Sequence, residues 1–177
     1  MSKDNSAPIV YEKSQTSRKN QLHDDRIRDP IDPLEIFELI RTIKDPEHPV
    51  SLEQLYVIQL KNIKVDDKNN SIVVFFNPTI PNCTQSAVIG LCIRTKLMRS
   101  LPPRMKYKVL VVPGSHESED ALNRQFNDKE RVAAALENEA LLRVINKCIL
   151  ETDTDSIQQV LENPIHYYSN KCSQIEK

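Results

Sequence analysis

Between Ser71 and Ser100 the chain passes from an apolar strand through a proline-stiffened loop into a helix, and that succession fixes most of what it can fold into. Ser71-Ile72-Val73-Val74-Phe75-Phe76 is apolar on both faces, as expected of a central strand covered on each side. Ala87-Val88-Ile89-Gly90-Leu91-Cys92-Ile93 reads as helix, and Pro102-Pro103 ends that helix after Ser100. The connection is Asn77-Pro78-Thr79-Ile80-Pro81-Asn82-Cys83-Thr84, whose two prolines each hold φ at about −65°. Asn82 with Gln85 fits a capping box that makes Cys83 the first helical residue, whereas Thr84 as the cap puts Cys83 one residue before it. Either way the sulfur lies near unpaired N–H groups at the positive end of a helix dipole. That setting lowers a thiol pKa and favours the thiolate, the form that attacks electrophiles and binds metal. The plainer reading is a small buried cysteine in a tight turn.

The flanking elements follow from capping and periodicity. Asp32 is an N-cap, Pro33 takes the first helical position and Glu35 completes a box, so a helix runs from there to about Lys44 with Ile36, Phe37, Ile40 and Ile43 on one stripe. Asp45-Pro46-Glu47-His48-Pro49 stops it, and Ser51 with Gln54 forms a second box on one short helical turn. Leu55 to Val65 reads as a strand whose phase slips at Ile63, suggesting a bulge. With Asp66 to Asn70 as the loop, it forms an antiparallel hairpin with Ser71 to Phe76. Met105, Tyr107, Val109 and Val111 alternate with Lys106 and Lys108 as a third strand. Glu117 to Phe126 reads as helix. A last helix opens at Asp128 and buries Val132, Ala133, Leu136, Ala140, Leu141, Val144, Ile145 and Cys148. The order is α-β-β-α-β-α-α. This is an α+β chain, most economically a two-layer α/β sandwich with a small mixed sheet covered by helices. If the second and third strands are parallel neighbours, the crossover is right-handed. Residues 1–30 are polar and read as a disordered arm, 31–150 as the folded domain, and 151–177 as a polar tail with a short amphipathic stretch from Ser156 to Glu162.

Composition removes several function classes. Lys plus Arg number 24 against 25 Asp plus Glu, so the basic excess of a general nucleic-acid binder is missing. Gly90 and Gly114 are the only glycines, which leaves no phosphate loop, dinucleotide fingerprint or Gly-x-x-Gly clamp for RNA. No run of about 18 apolar residues is present, and the N-terminus lacks an apolar signal core, so an intracellular protein without a membrane span is expected. Cys83, Cys92, Cys148 and Cys172 show no Cys-x-x-Cys spacing, which argues against structural zinc within the chain, and a reducing compartment argues against a disulfide framework. Without a secretory signal, the glycosylation patterns at Asn69 and Asn82 are chance matches.

Four segments together resemble a known family. Asp45-Pro46-Glu47-His48-Pro49, Asn77 to Cys83, Leu97-Met98-Arg99-Ser100-Leu101-Pro102, and Asp128-Lys129-Glu130-Arg131-Val132-Ala133-Ala134-Ala135-Leu136-Glu137-Asn138 are similar to the eukaryotic cytosolic iron–sulfur assembly targeting proteins, Galla-type relatives of the bacterial PaaD and SufT domain. The match covers about residues 32 to 150. It implies a non-enzymatic subunit of the complex that delivers iron–sulfur clusters to cytosolic and nuclear apoproteins. It also implies a WD-repeat propeller subunit, a HEAT-repeat scaffold and apo client proteins as partners. The implied location is the cytoplasm, with the nucleus as a second compartment. The family's reactive cysteine falls on Cys83, its acidic turn on Asp45 and Glu47, and its Gly-x-His segment on Gly114, Ser115 and His116. Bacterial relatives often carry Pro after the cysteine where this chain has Thr84.

On this reading Cys83 is the transfer residue and a metal ligand. One thiolate does not hold a four-iron cluster that takes four cysteines, so any cluster is transient, and no organic cofactor is implied. Asp45, Glu47 and His116 are further candidate metal ligands, and Asp45, Glu47, Asn82 and Thr84 candidate partner contacts. The competing account of Asp45 and Glu47 is a helix-stop turn with solvated acids, and of His116 a helix-start turn. Cys92 and Cys148 read as core, Cys172 as an incidental thiol. Arg99, Arg104, Lys106 and Lys108 read as a solvated rim. Two other functions compete: a thiol-dependent enzyme using Cys83 with His116 as base, and a KH-like RNA-binding module. A sheet edge left open and a stiff hinge at Leu101-Pro102-Pro103 also lead us to expect some homodimer of the isolated chain at high concentration.

Overall fold

The computed structural model describes residues 8–14, 30–78 and 85–150. Helix α1, Pro33–Ile40, begins as its sequence dictates: Asp32 is extended, and its carboxylate accepts from Glu35 N–H at 2.7 Å. Ile36, Phe37, Ile40 and Ile43 are all buried. The helix ends at Ile40 rather than near Lys44, and the chain turns through Arg41.

The expected strand from Leu55 is not formed. Residues 52–56 are a turn, Leu60–Asn62 a single 3-10 turn, and strand β1 covers Ile63–Asp66 alone. The reason is visible in the caps. The Ser51 hydroxyl and N–H both donate to Gln54 Oε1, Leu55 N–H donates to Ser51 C=O, and Tyr56 closes the turn at φ 61°. That left-handed conformation is unfavourable for a residue with a side chain, and it breaks any extended run. The apparent phase slip at Ile63 therefore marks the 3-10 turn rather than a bulge.

Strand β2, Ser71–Phe76, lies between β1 and strand β3, Lys106–Val111, antiparallel to the first and parallel to the second. Asn70, at φ 52°, closes the β1–β2 turn, a conformation Asn tolerates better than most residues. Ile63, Ile72, Val74, Phe76, Val109 and Val111 form the buried face. The opposite face of β2 is half-buried rather than fully covered as its sequence suggested. Val73 and Phe75 sit there, with the Lys64 ammonium 5.6 Å from the Phe75 ring centre.

Helix α2, Ser86–Ser100, packs on β3 and meets helix α3, Glu119–Asn127, and helix α5, Glu139–Ile149; α3 also lies directly along β3, and helix α4, Lys129–Glu137, joins α3 to α5. Gly90 is required where α2 meets α3. A Cβ there would lie 2.4–2.7 Å from the fully buried Phe126 ring, which also rests 5.7 Å from the Phe76 ring.

The last helix of the sequence reading is two helices. Asn138 adopts an extended conformation and accepts from Leu141 N–H, capping α5 just as Asp128 caps α4. The break shifts the phase. Leu142, Ile145, Cys148 and Ile149 are buried, whereas Val144 is 40% exposed and Ala140 is on the surface.

Two further features differ from expectation. Residues 8–14, assigned to a loose arm, lie against the domain: Tyr11 N–H donates to Gln54 C=O at 2.8 Å and the Tyr11 and Tyr56 rings stack at 4.9 Å. The outer edge of β3 is also closed. Asn127 Oδ1 accepts from Val109 N–H, Asn127 Nδ2 donates to Val109 C=O, and Asn123 Oδ1 accepts from Val111 N–H. Two side chains one helical turn apart thus stand in for a fourth strand, which leaves the four-residue β1 to carry the edge pairing expected of a homodimer. The tail assignments after residue 150 lie outside the described residues.

Candidate functional site

Parallel pairing of β2 and β3 brings their C-terminal ends together. Phe76 is opposite Val111, and Val112 N–H donates to Phe76 C=O at 2.9 Å. The segment carrying Cys83 therefore leaves the sheet beside the turn carrying His116. Loops at this end of parallel strands commonly form binding sites in α/β proteins.

Both ends of the Cys83 segment are anchored. Asn77 N–H donates to Val57 C=O at 2.9 Å and Pro78 is buried; at the other end Gln85 leads into Ser86, fully buried at the start of α2. Gln85 occupies the cap position of α2 with no capping hydrogen bond from its side chain. Asn82, Cys83 and Thr84 lie outside the described residues. So does the sulfur-to-imidazole separation on which the enzyme reading depends, but the Asn82 box, which would start the helix at Cys83, is not the one used, because α2 begins at Ser86 with Gln85 still in a turn.

The acidic turn is internal. Asp45 is 9% exposed, and its Oδ1 accepts from the N–H groups of Glu47 and His48, each at 2.9 Å. Its backbone is tied on both sides: Asp45 N–H donates to Val50 C=O, Lys44 pairs with Ser51, and Lys44 N–H donates to the Cys148 carbonyl of α5. Asp45 thus builds the turn, while Glu47 is exposed at its tip. Beneath lies a feature the sequence did not announce. Cys92 on α2 and Cys148 on α5 are both buried and hydrogen-bond each other; the bond and burial hold the Cys92 thiol well above its usual pKa. Nothing in the spacing of 92 and 148 signals this meeting. Both cysteines are core, as expected.

His116 also serves its own turn. Gly114 at φ 76° turns the chain after β3, Ser115 Oγ donates to Val112 C=O, and Gly114 N–H donates to a Glu119 oxygen. His116 Nδ1 accepts from Ser118 N–H at 3.0 Å, so the neutral ring carries its proton on Nε2. Among the described residues no group of three or more His, Cys, Asp or Glu side chains is arranged to hold a metal, so Asp45, Glu47 and His116 are not brought together as a ligand set.

The expected basic rim is divided. Lys106 and Lys108 are exposed, but the Arg99 guanidinium is half-buried and donates to Asn146 Oδ1 at 2.6 Å. Sequence reasoning missed a buried ion pair altogether. Arg41 donates to both Glu53 oxygens, at 2.7 and 2.9 Å, with each residue 7% exposed. Burial opposes ionisation of Glu53, but hydrogen bonds from Ser14 and Arg41 outweigh it and its pKa lies below the usual carboxylate range. A signal existed in Arg41 directly following an apolar stripe and Glu53 inside a capping turn, two charges in positions otherwise bound for the interior.

Residues 34–111 match the family described as iron–sulfur cluster assembly protein. The MIP18 family protein galla-2 of Drosophila melanogaster is 52% identical over 148 residues, covering 82% of this chain and 94% of the relative. Protein AE7 of Arabidopsis thaliana is 50% identical over 147 residues, again 82% and 94%. The cytosolic iron-sulfur assembly component 2B of Mus musculus is 49% identical over 147 residues, covering 82% of this chain and 90% of the relative.

Proposed function

The chain belongs to the family of iron–sulfur cluster assembly proteins, and from that premise we propose that it is a subunit of the cytosolic machinery that targets iron–sulfur clusters to apoproteins. The cluster is cargo rather than a resident cofactor. Cys83 contributes a single thiolate to it, or contacts the client's cysteines during transfer, and a partner provides the ligands that one residue lacks. The observation that carries this reading is the anchoring of the Cys83 segment between the end of the central strand and the buried start of α2. Such anchoring suits presentation of one side chain to a partner. Asn82 and Thr84 flank it there, and the exposed Glu47 is the member of the acidic turn open to contact.

On this reading the protein acts by handing on its cargo rather than by catalysis of its own. Its partners are a WD-repeat propeller, a HEAT-repeat scaffold and the apo clients, and it works in the cytosol with nuclear clients also served. Affinity capture of the full chain from eukaryotic cytosol, read by mass spectrometry, tests this. Recovery of a WD-repeat and a HEAT-repeat protein is expected. Their absence beside a normally folded bait would sink the proposal.

A further inference from the structure

The hydrogen bonds around Ser14 single it out. Its N–H and its hydroxyl both donate to one oxygen of Glu53, at 2.8 and 2.6 Å, and its carbonyl accepts from Arg41 Nη2 at 2.6 Å. All three nitrogens of the Arg41 guanidinium are engaged: Nε and Nη2 on Glu53, Nη1 on Glu38 at 2.6 Å. Ser14 itself is an exposed residue in a segment without helix or strand, the form in which modifying enzymes take up a serine. The rest of the 8–14 strap is held lightly, by the Tyr11–Gln54 hydrogen bond and the Tyr11–Tyr56 ring contact, while Ile9 and Val10 are 73% and 53% exposed.

We propose that Ser14 is a phosphorylation site whose modification releases the 8–14 strap from the domain. A protein kinase using ATP would break the bond between the β–γ bridging oxygen and the γ-phosphorus and form a new one from Ser14 Oγ to that phosphorus. ADP leaves, and the hydroxyl proton passes through the kinase base to solvent. The change removes the Ser14 hydroxyl, one of the donors to Glu53, and puts about two negative charges in its place. Those charges face the Glu53 and Glu38 carboxylates, and the cation between them already has its donors committed. Neighbouring Lys13 is exposed and offers only a solvent-screened counter-charge. The docked state is therefore disfavoured and the open state, once populated, is trapped. Opening uncovers the Gln54 carbonyl and the inner face of the Tyr56 ring.

The test uses the full chain with phosphoserine installed at position 14 during translation, and reads hydrogen exchange at the Tyr11 amide, which bonds Gln54. Exchange at Val74, inside β2, reports that the sheet stays intact. Exchange at Tyr11 should rise by about tenfold or more in the phosphoserine chain and by much less in Ser14→Ala, which loses only the hydroxyl. Adding Glu53→Gln to the phosphoserine chain should restore part of the protection, because the repelling charge is gone. Unchanged exchange at Tyr11, an equal rise in Ser14→Ala, or no recovery with Glu53→Gln while Val74 stays protected would each overturn the charge mechanism. The acceptor assignment is tested by incubating the unmodified full chain with ATP and eukaryotic cytosol, then locating phosphate by mass spectrometry. Phosphate at Ser14 is expected; none there would overturn it.

Discussion

The unit from Ser71 to Val111 and the stretch from Arg41 to Asn62 satisfy their backbones in different ways. The first uses sheet pairing and an apolar face, with Ile72, Val74, Phe76 and Val109 fully buried. The second has almost no ladder and instead relies on polar side chains: Asp45 on two amides, Ser51 with Gln54, and Arg41 with Glu53. An apolar core tolerates changes of pH and salt and fails when its volume changes. A polar scaffold tolerates little change of charge, because each lost partner leaves a buried group unsatisfied. The comparison can be tested from both sides.

The largest effect is expected at Glu53→Ala, which leaves Arg41 charged and buried without its main partner and should cost about 3–5 kcal/mol in urea unfolding. The same pair should make the polar half acid-sensitive. The folded pKa of Glu53 lies below its ordinary value of 4.5, so its contribution is fully present above that value and is lost as pH falls through the lower folded value. Glu53→Gln should flatten this part of the pH–stability curve; an unchanged curve would show that the pair does not carry it. On the apolar side, Gly90→Ala should cost about 2 kcal/mol, because the Phe126 ring is wedged against Phe76 and has no room to yield. A neutral or stabilising result, as helix propensity alone would give, would show that α3 shifts freely.

A smaller loss, about 1–2 kcal/mol, is expected for Asn127→Ala, which strips both backbone groups of Val109 at the β3 edge. It should also raise self-association at high concentration, which light scattering would read. Smaller again is the effect of removing residues 1–14. The strap adds a few hydrogen bonds and one ring contact, so a loss of about 1 kcal/mol and a fall of a few degrees in Tm are expected. No change in Tm would mean the strap is docked without adding stability.

The same contrast explains what the sequence made legible. β2, α2 and β3 announce themselves through alternation, prolines and caps, because their partners are generic apolar surfaces. Cys83 stood out for the same local reasons, at a strand end and before a helix. In the 41–62 stretch the Asp45 turn and the Ser51–Gln54 box read correctly, but the strand expected from Leu55 did not, since Leu55, Val57 and Ile58 are buried by turns. Those turns depend on Tyr56 at positive φ and on an ion pair twelve residues apart, neither of which has a periodic signature. Asn138 was hidden because Leu141 and Val144 continue an apparent stripe, and only its cap to Leu141 reveals the break. The Asn123 and Asn127 edge caps look like ordinary helix-surface residues until β3 is placed beside them.

Replacing one atom at the anchored loop tests the central claim most directly. Cys83→Ser should leave Tm within a degree or two of the parent, as about 0.5 kcal/mol or less is expected from a near-isosteric replacement of one atom. In cells carrying only this variant, iron–sulfur client enzymes should lose their clusters while their polypeptides persist, as measured by iron incorporation per client. Normal client iron with the variant as sole copy would contradict the account, because a scaffold built to present that sulfur would then be working without it.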